Sequence, residues 1–304
     1  MKKVLKWAGI GLAALAAILV VAAAVLYFQG GSRLNTTYDL QIPDVTIPTD
    51  SAAITRGHYL AEAVMLCHGC HGADLEGHVI FDDPSIASIY ASNLTTGRGG
   101  IGAEYSDVDF ARAIRHGINR SGRGLMIMHS DAFHNLGEYD LGAVIAHLRS
   151  TPPVDNEVPM ITTAPLGRIL VALGLFDSES MPLIPAEVID HSTPFAEPPP
   201  PGPTPEYGEY LVSIGICRMC HGADLNGGPP IEEGAPPGPS ILPYGGHWTE
   251  EDFVRTIRTG VTPYDKTLDE EVMPWRSYTK MTDEDLAAIR AYLASVATPP
   301  SRTE

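Results

Sequence analysis

The segment LCHGCHGADLEG, residues 66–77, sets two thiols and an imidazole side by side: Cys67, Cys70 and His71. The trio returns as Cys217, Cys220 and His221 in CRMCHGADLNG, and His-Gly-Ala-Asp-Leu follows the second cysteine identically in both copies. The chain has 4 cysteines, so none is spare. A redox dithiol needs a βαβ context and makes no use of the histidine; the flanks here read as helical. One pooled four-thiolate zinc site, or two disulfides in an oxidising compartment, leaves both histidines without a role. Covalent haem attachment employs every position. Two thiols on one helical turn reach the two vinyl groups of a porphyrin, and the adjacent imidazole falls under the iron as proximal ligand. The duplication selects this chemistry, and predicts two haems.

Each trio needs elements to hold it. Upstream lie RGHYLAEAVMLC and YGEYLVSIGIC, apolar helical patterns in which a glycine stands two residues before Tyr-Leu: Gly57, Tyr59, Leu60 and Gly208, Tyr210, Leu211. Downstream, Ser106 with Asp109 and Thr249 with Asp252 are capping-box starts of a second helix, which stops at Gly117 or Gly260. A third helix follows in each half, over Asp140–Ser150 and Asp285–Ser295. Thr282 is a good cap for the latter, whereas Gly137 is a weaker start for the former. Thr-Pro-Pro closes each half, at 151–153 and 298–300.

This duplicated order resembles the class I cytochrome c domain, in which a helix enters Cys-x-x-Cys-His and a middle helix, a ligand-bearing loop and a C-terminal helix follow. The resemblance implies an all-α fold with the first and last helices of each domain crossing closely, Gly57 near His147 and Gly208 near Tyr292. It also implies a distal methionine between the middle and last helices. Met273, followed by Pro274, is the candidate in the second half; Met281 directly precedes the Thr282 cap and reads as a packing residue. The first half offers Met126, Met128 and His129 without a following proline. Met128 precedes Leu141 by the interval that separates Met273 from Leu286, so Met128 is preferred, then His129, then Met126. For the carbonyl that orients each proximal imidazole, the resemblance suggests Ser92 in the first half and Pro239 in the second. Trp248, Tyr244, Arg98 and Arg123 are candidates to reach haem propionates.

The expected organisation is a transmembrane anchor over 1–30, a linker over 31–51, a first domain over 52–152, a connector over 153–203, a second domain over 204–298 and a tail over 299–304. Trp7–Phe28 carries no charge and is long enough to cross a bilayer. Lys2, Lys3 and Lys6 place its start in the cytoplasm. The run is long for a signal-peptide core and continues past the cleavage-like Ala22–Ala24, which favours an uncleaved anchor over a removed leader. Single-pass insertion in the inner membrane then puts the haem domains on the periplasmic side. The connector's FAEPPPPGPTPEY should be an extended spacer. Its apolar APLGRILVALGLF is too short to span, and packs on the haem domains, lies on the bilayer or meets a partner.

A net charge of −17 speaks against nucleic acid and for a basic or neutral protein partner. The connector, and the segment from Ile89 to Gly122, are similar to those of cytochrome subunits of membrane-bound alcohol and gluconate-type dehydrogenases. Those subunits commonly carry three haems, against two motifs here. The expected function is single-electron transfer between a membrane or periplasmic redox complex and its partner, without catalysis by this chain. The alternative is a haem enzyme, peroxidase-like or thiosulfate-oxidising, with one iron open or unusually ligated, and its only support is the Met-Ile-Met-His loop.

Overall fold

The computed structural model describes residues 2–178, 181–230, 234–242 and 248–297. Tyr244 and the second Thr-Pro-Pro lie outside them. Helix α1, Lys2–Leu34, outlasts the expected anchor and is the one described helix long and apolar enough to cross a membrane, with a mean hydropathy of 2.7 in its best window. Its large apolar side chains from Val4 to Val25 stand exposed, with nothing among the described residues covering them.

The first half begins with α2, Ser51–Tyr59, which continues through a π-helical turn, Leu60–Val64, into the Cys-x-x-Cys-His helix α3, Cys67–His71. A hairpin comes next: β1, His78–Asp83, pairs antiparallel with β2, Ala87–Ala91. Helix α4 spans Asp107–His116, the short α5 Ser130–Phe133 and α6 Glu138–Ser150. In the connector, β3, Thr162–Thr163, adds to β2, and α7 covers Pro165–Ala172. The second half repeats the helices, with no hairpin among its described residues: α8, Pro205–Ile214; α9, Cys217–His221; α10, Glu250–Thr259; α11, Trp275–Tyr278; and α12, Asp283–Val296.

The all-α expectation therefore needs a correction: the fold is mostly helical, but a three-stranded sheet follows the first motif. The β-branched and aromatic alternation of HVIFDDPSIASIYA explains it. Ser85 closes the turn by donating from its backbone N–H and hydroxyl to Asp83 Oδ1 at 2.8 and 2.7 Å.

The local signals of the helices are realised. Ser106 and Asp109 form a reciprocal capping box, as do Thr249 and Asp252, and Gly117 and Gly260 end their helices in the left-handed conformation. Gly137 caps α6 without a side-chain bond. The first and last helices of each half cross at glycine. A Cβ on Gly57 would sit 1.9 Å from the Ala143 carbonyl oxygen, one turn before His147; on Gly208 it would sit 2.0 Å from that of Ala288 and 2.8 Å from Tyr292 Cβ. Only hydrogen fits at either crossing.

The two halves share one apolar core. Leu60, Val64, Leu141 and Ile145 belong to the same buried cluster as Leu211, Ile214, Leu286 and Leu293. Polar contacts cross the same boundary: Lys280 Nζ donates to Glu62 Oε1 at 2.5 Å, and the Thr282 amide to Tyr59 Oη at 3.0 Å. The connector is docked for much of its course. The Asn93 amide donates to the Val154 and Asn156 carbonyls, at 2.8 and 3.2 Å, and Phe195 lies under the Arg115 guanidinium. Its apolar α7 packs on the end of α1, where the Arg168 carbonyl oxygen fills the space that a Gly30 Cβ would need.

Candidate haem-attachment sites

Both Cys-x-x-Cys-His helices are entered through the same irregularity. Leu66 (φ 56°) and Ile216 (φ 51°) are left-handed, a conformation that costs a non-glycine residue about 1–2 kcal/mol. The kink ends the upstream helix and starts a new turn in which two cysteines and a histidine come round on one short helix. The first sulfurs are buried deepest. Burial pushes the Cys67 and Cys217 thiols up to about 12, and raises Cys70 and Cys220 as well. These are protonated thiols, the reverse of the depressed values that redox and thiolate-ligand cysteines show.

Each histidine is aimed by a carbonyl. His71 Nδ1–H donates to the Ser92 carbonyl at 2.8 Å and His221 Nδ1–H to the Pro239 carbonyl at 2.8 Å. Donation through Nδ1 fixes the tautomer and leaves the Nε2 lone pair for a metal. Burial depresses both imidazoles, which keeps them neutral and able to ligate.

Beside each motif opens an apolar cleft, of about 1140 Å³ in the first half and about 1050 Å³ in the second. Cys67, Cys70, His71, Met126, Met128 and His129 all line the first. Cys217, Cys220, His221 and Met273 line the second, and Met281, 4 % exposed, also contributes to its wall.

The repeat separates the rival residues of the first loop. In the second half Met273 precedes Pro274, which caps α11 (φ −75°, ψ 52°), and the Trp275 amide donates back to the Met273 carbonyl at 2.6 Å. In the first, Met128 precedes His129, which caps α5 with nearly the same angles (φ −75°, ψ 46°), and the Ser130 amide donates to the Met128 carbonyl at 2.7 Å. Met128 thus stands where Met273 stands, and His129 takes the place of Pro274. Met126, which also lines the cleft, packs on the small second core with Leu183 and Ile184.

Two of the propionate candidates have partners within the described residues: exposed Arg98 lies near Asp155 and Glu157 of the connector, and Arg123 donates to Asn35 at 3.0 Å. An aromatic at the end of the short helix escaped sequence reasoning: Phe133 lines the first cleft and Tyr278 the second, where its hydroxyl donates to the Gly215 carbonyl at 2.9 Å. Its signal was an aromatic at the same interval after Met128 and Met273.

Paired protonated thiols, a neutral imidazole fixed through Nδ1 and a thioether around an apolar cleft fit covalent haem. The family of cytochrome c oxidase, cbb3-type, subunit III matches residues 203–293. Those residues form a cytochrome c domain. Such a domain carries its haem through thioether bonds. Over 309 aligned residues the chain is 30 % identical to the cytochrome c subunit of alcohol dehydrogenase (quinone) from Gluconacetobacter polyoxogenes, covering 89 % of this chain and 61 % of that one. It is 28 % identical to the fructose dehydrogenase cytochrome subunit of Gluconobacter japonicus, over 85 % of this chain and 56 % of that one. It is 29 % identical to the gluconate 2-dehydrogenase cytochrome c subunit of Pantoea cypripedii, over 57 % and 38 %. The chain spans about three-fifths of the length of the first of these relatives.

Proposed function

We propose that this chain is a membrane-anchored, two-haem electron carrier working on the periplasmic side, between a membrane-bound dehydrogenase and an onward acceptor. Residues 52–152 and 204–298 each act as a cytochrome c domain. Cys67 and Cys70 hold one haem, with His71 and Met128 as axial ligands and Ser92 orienting the imidazole. Cys217 and Cys220 hold the other, with His221 and Met273 as ligands and Pro239 in the orienting role. When bound, each iron supplies a one-electron ferric–ferrous couple whose ferrous state the thioether favours.

The observation that carries this reading is the repetition of a complete ligand geometry. Both halves combine a carbonyl-locked imidazole with a methionine two residues ahead of a short helix. Were each iron held by its histidine and methionine, no coordination site would be left for substrate, which favours a carrier over a haem enzyme. The relatives' dehydrogenase names supply the partner class, and the acidic surface fits a basic docking face. Lys2, Lys3 and Lys6 at the start of α1, and its bare apolar surface, support an anchor that starts in the cytoplasm.

Intact mass of the full chain, produced with a haem-attachment system, tests the haem count. Two adducts add about 1.2 kDa, one for each Cys-x-x-Cys-His. Cys217→Ala with Cys220→Ala should remove half of that gain. A wild-type gain of one adduct would reject the two-haem reading. Carbon monoxide binding to the reduced native protein would favour the enzyme.

A further inference from the structure

Away from both clefts, three histidines from three elements converge. His58 lies on α2, His68 in α3 and His147 on α6, and one ring nitrogen of each falls within 4.8 Å of the others. The rings of His58 and His147 meet edge to face, their centroids 4.9 Å apart. His68 Nδ1–H donates to the Ala73 carbonyl at 2.8 Å, so its Nε2 carries the free lone pair. That Nε2 is buried with no partner, and so is His147 Nε2, on a residue only 9 % exposed. Buried polar atoms are seldom left unsatisfied, and two turned into one cluster point to a missing ligand. A third group adds charge: Glu62 Oε2 lies 3.3 Å from His58 Nε2, while Glu62 Oε1 accepts from Lys280.

We propose that His58, His68 and His147 bind a late divalent transition-metal ion, such as zinc or copper. Imidazole is a preferred ligand for these ions. His68 has the orientation that a ligating histidine needs, its second nitrogen held by a carbonyl. A tetrahedral ion at ~2.05 Å from each nitrogen needs them roughly 3.4 Å apart, so the three rings draw together on binding, half-exposed His58 having the most freedom to rotate. Glu62 stands ready as a fourth ligand, through a carboxylate oxygen, or as a charge beside the site. The bound ion joins the first helix of its half, the last helix and the haem-attachment turn at one point. The site uses none of the cleft-lining residues and does not depend on the haem reading.

The test titrates Zn²⁺ into the full, detergent-solubilised, tag-free chain after chelator treatment and dialysis, by calorimetry. One Zn²⁺ per chain is expected, with the thermal midpoint rising in its presence. His58→Ala sits at a half-exposed position, so it should fold as wild type yet bind at least roughly tenfold more weakly, the low end of the effect of losing even an outer partner. His147→Asn should do the same. With Cu²⁺ as probe, electron paramagnetic resonance should show nitrogen superhyperfine splitting that the double variant, His58→Ala with His147→Asn, loses. Binding well below one ion per chain, or binding unchanged in the double variant, overturns the proposal.

Discussion

The Tyr210 hydroxyl of the second half donates to Asp140 Oδ2 of the first at 2.7 Å, in a place closed to water. The repeat returns the favour: Tyr59 of the first half donates to Asp285 of the second. Tyr59 and Tyr210 are equivalent, and so are Asp140 and Asp285, so an approximate two-fold axis runs between the halves. Arg56 adds charge on one side only, donating to Asp140 through Nε and Nη2 at 3.0 and 2.8 Å.

Removal of Asp140 strands a guanidinium and a phenol together. Breaking one partner of a buried pair costs about 3–5 kcal/mol, and Asp140→Ala should lose that much in denaturant unfolding of the haem-loaded protein. Tyr210→Phe leaves Arg56 paired and should lose only about 1–2 kcal/mol. Equal losses in the two variants would mean that the ion pair does not govern the contact.

The glycine crossings make a second, sterically sharp expectation. Gly57→Ala and Gly208→Ala each drive a methyl into a backbone carbonyl that a rigid helix holds, and overpacking of this kind costs about 1–3 kcal/mol or more. Gly69→Ala has open space around it and serves as the control. Thermal midpoints should fall in the first two and stay near wild type in the third.

The two equivalent methionines predict a spectral signature. Met128→Ala should abolish the weak near-infrared sulfur-to-iron band of one haem and leave the other, whereas Met126→Ala should leave both. A band at full strength in Met128→Ala would return the ligand to His129 or Met126.

Acid should loosen the docked connector. His191 Nε2–H donates to the Ala186 carbonyl at 3.1 Å, so its Nδ1 must accept from His116 Nδ1–H, also at 3.1 Å. Burial first, then Arg115, His134 and His191, hold His116 down at about 3, and burial lowers His134 too. The unfolded chain takes up these protons near 6.5 while the native one refuses them. Stability is therefore complete above about pH 6.5 and declines as pH falls from there towards 3. Unfolding at pH 7 and pH 5 should show the loss, and His116→Gln should shrink the difference between the two.

The sequence was most informative where signals are local. The Ser106 and Thr249 boxes and the stops at Gly117 and Gly260 each depend on a few consecutive residues, and all appear as read. The carbonyls of Ser92 and Pro239 were reached through a family resemblance, since nothing in Ser92 itself announces that its backbone oxygen will meet His71. The hairpin at 78–91 departs from the helical family pattern because its β-branched and aromatic alternation favours strands. The tyrosine–aspartate exchange and the three-histidine cluster were invisible for a different reason: each joins residues far apart in the chain, and their meeting depends on how two helical halves dock. The prolines of the connector imply an extended spacer but do not tell where the connector docks: Val154, Asn156 and Phe195 are held by partners that only the fold supplies.

Where α1 ends, Arg33 reaches both Asp177 and Glu187 at 2.6 Å, and Arg168 lies over Tyr27. A slack exit would turn the proposed anchor into a leash, letting the electron-carrying part sweep widely above the bilayer in search of partners. This clasp makes it a mast instead. On the proposed placement, height and facing are set once, at folding, and a mobile partner has to come to the carrier.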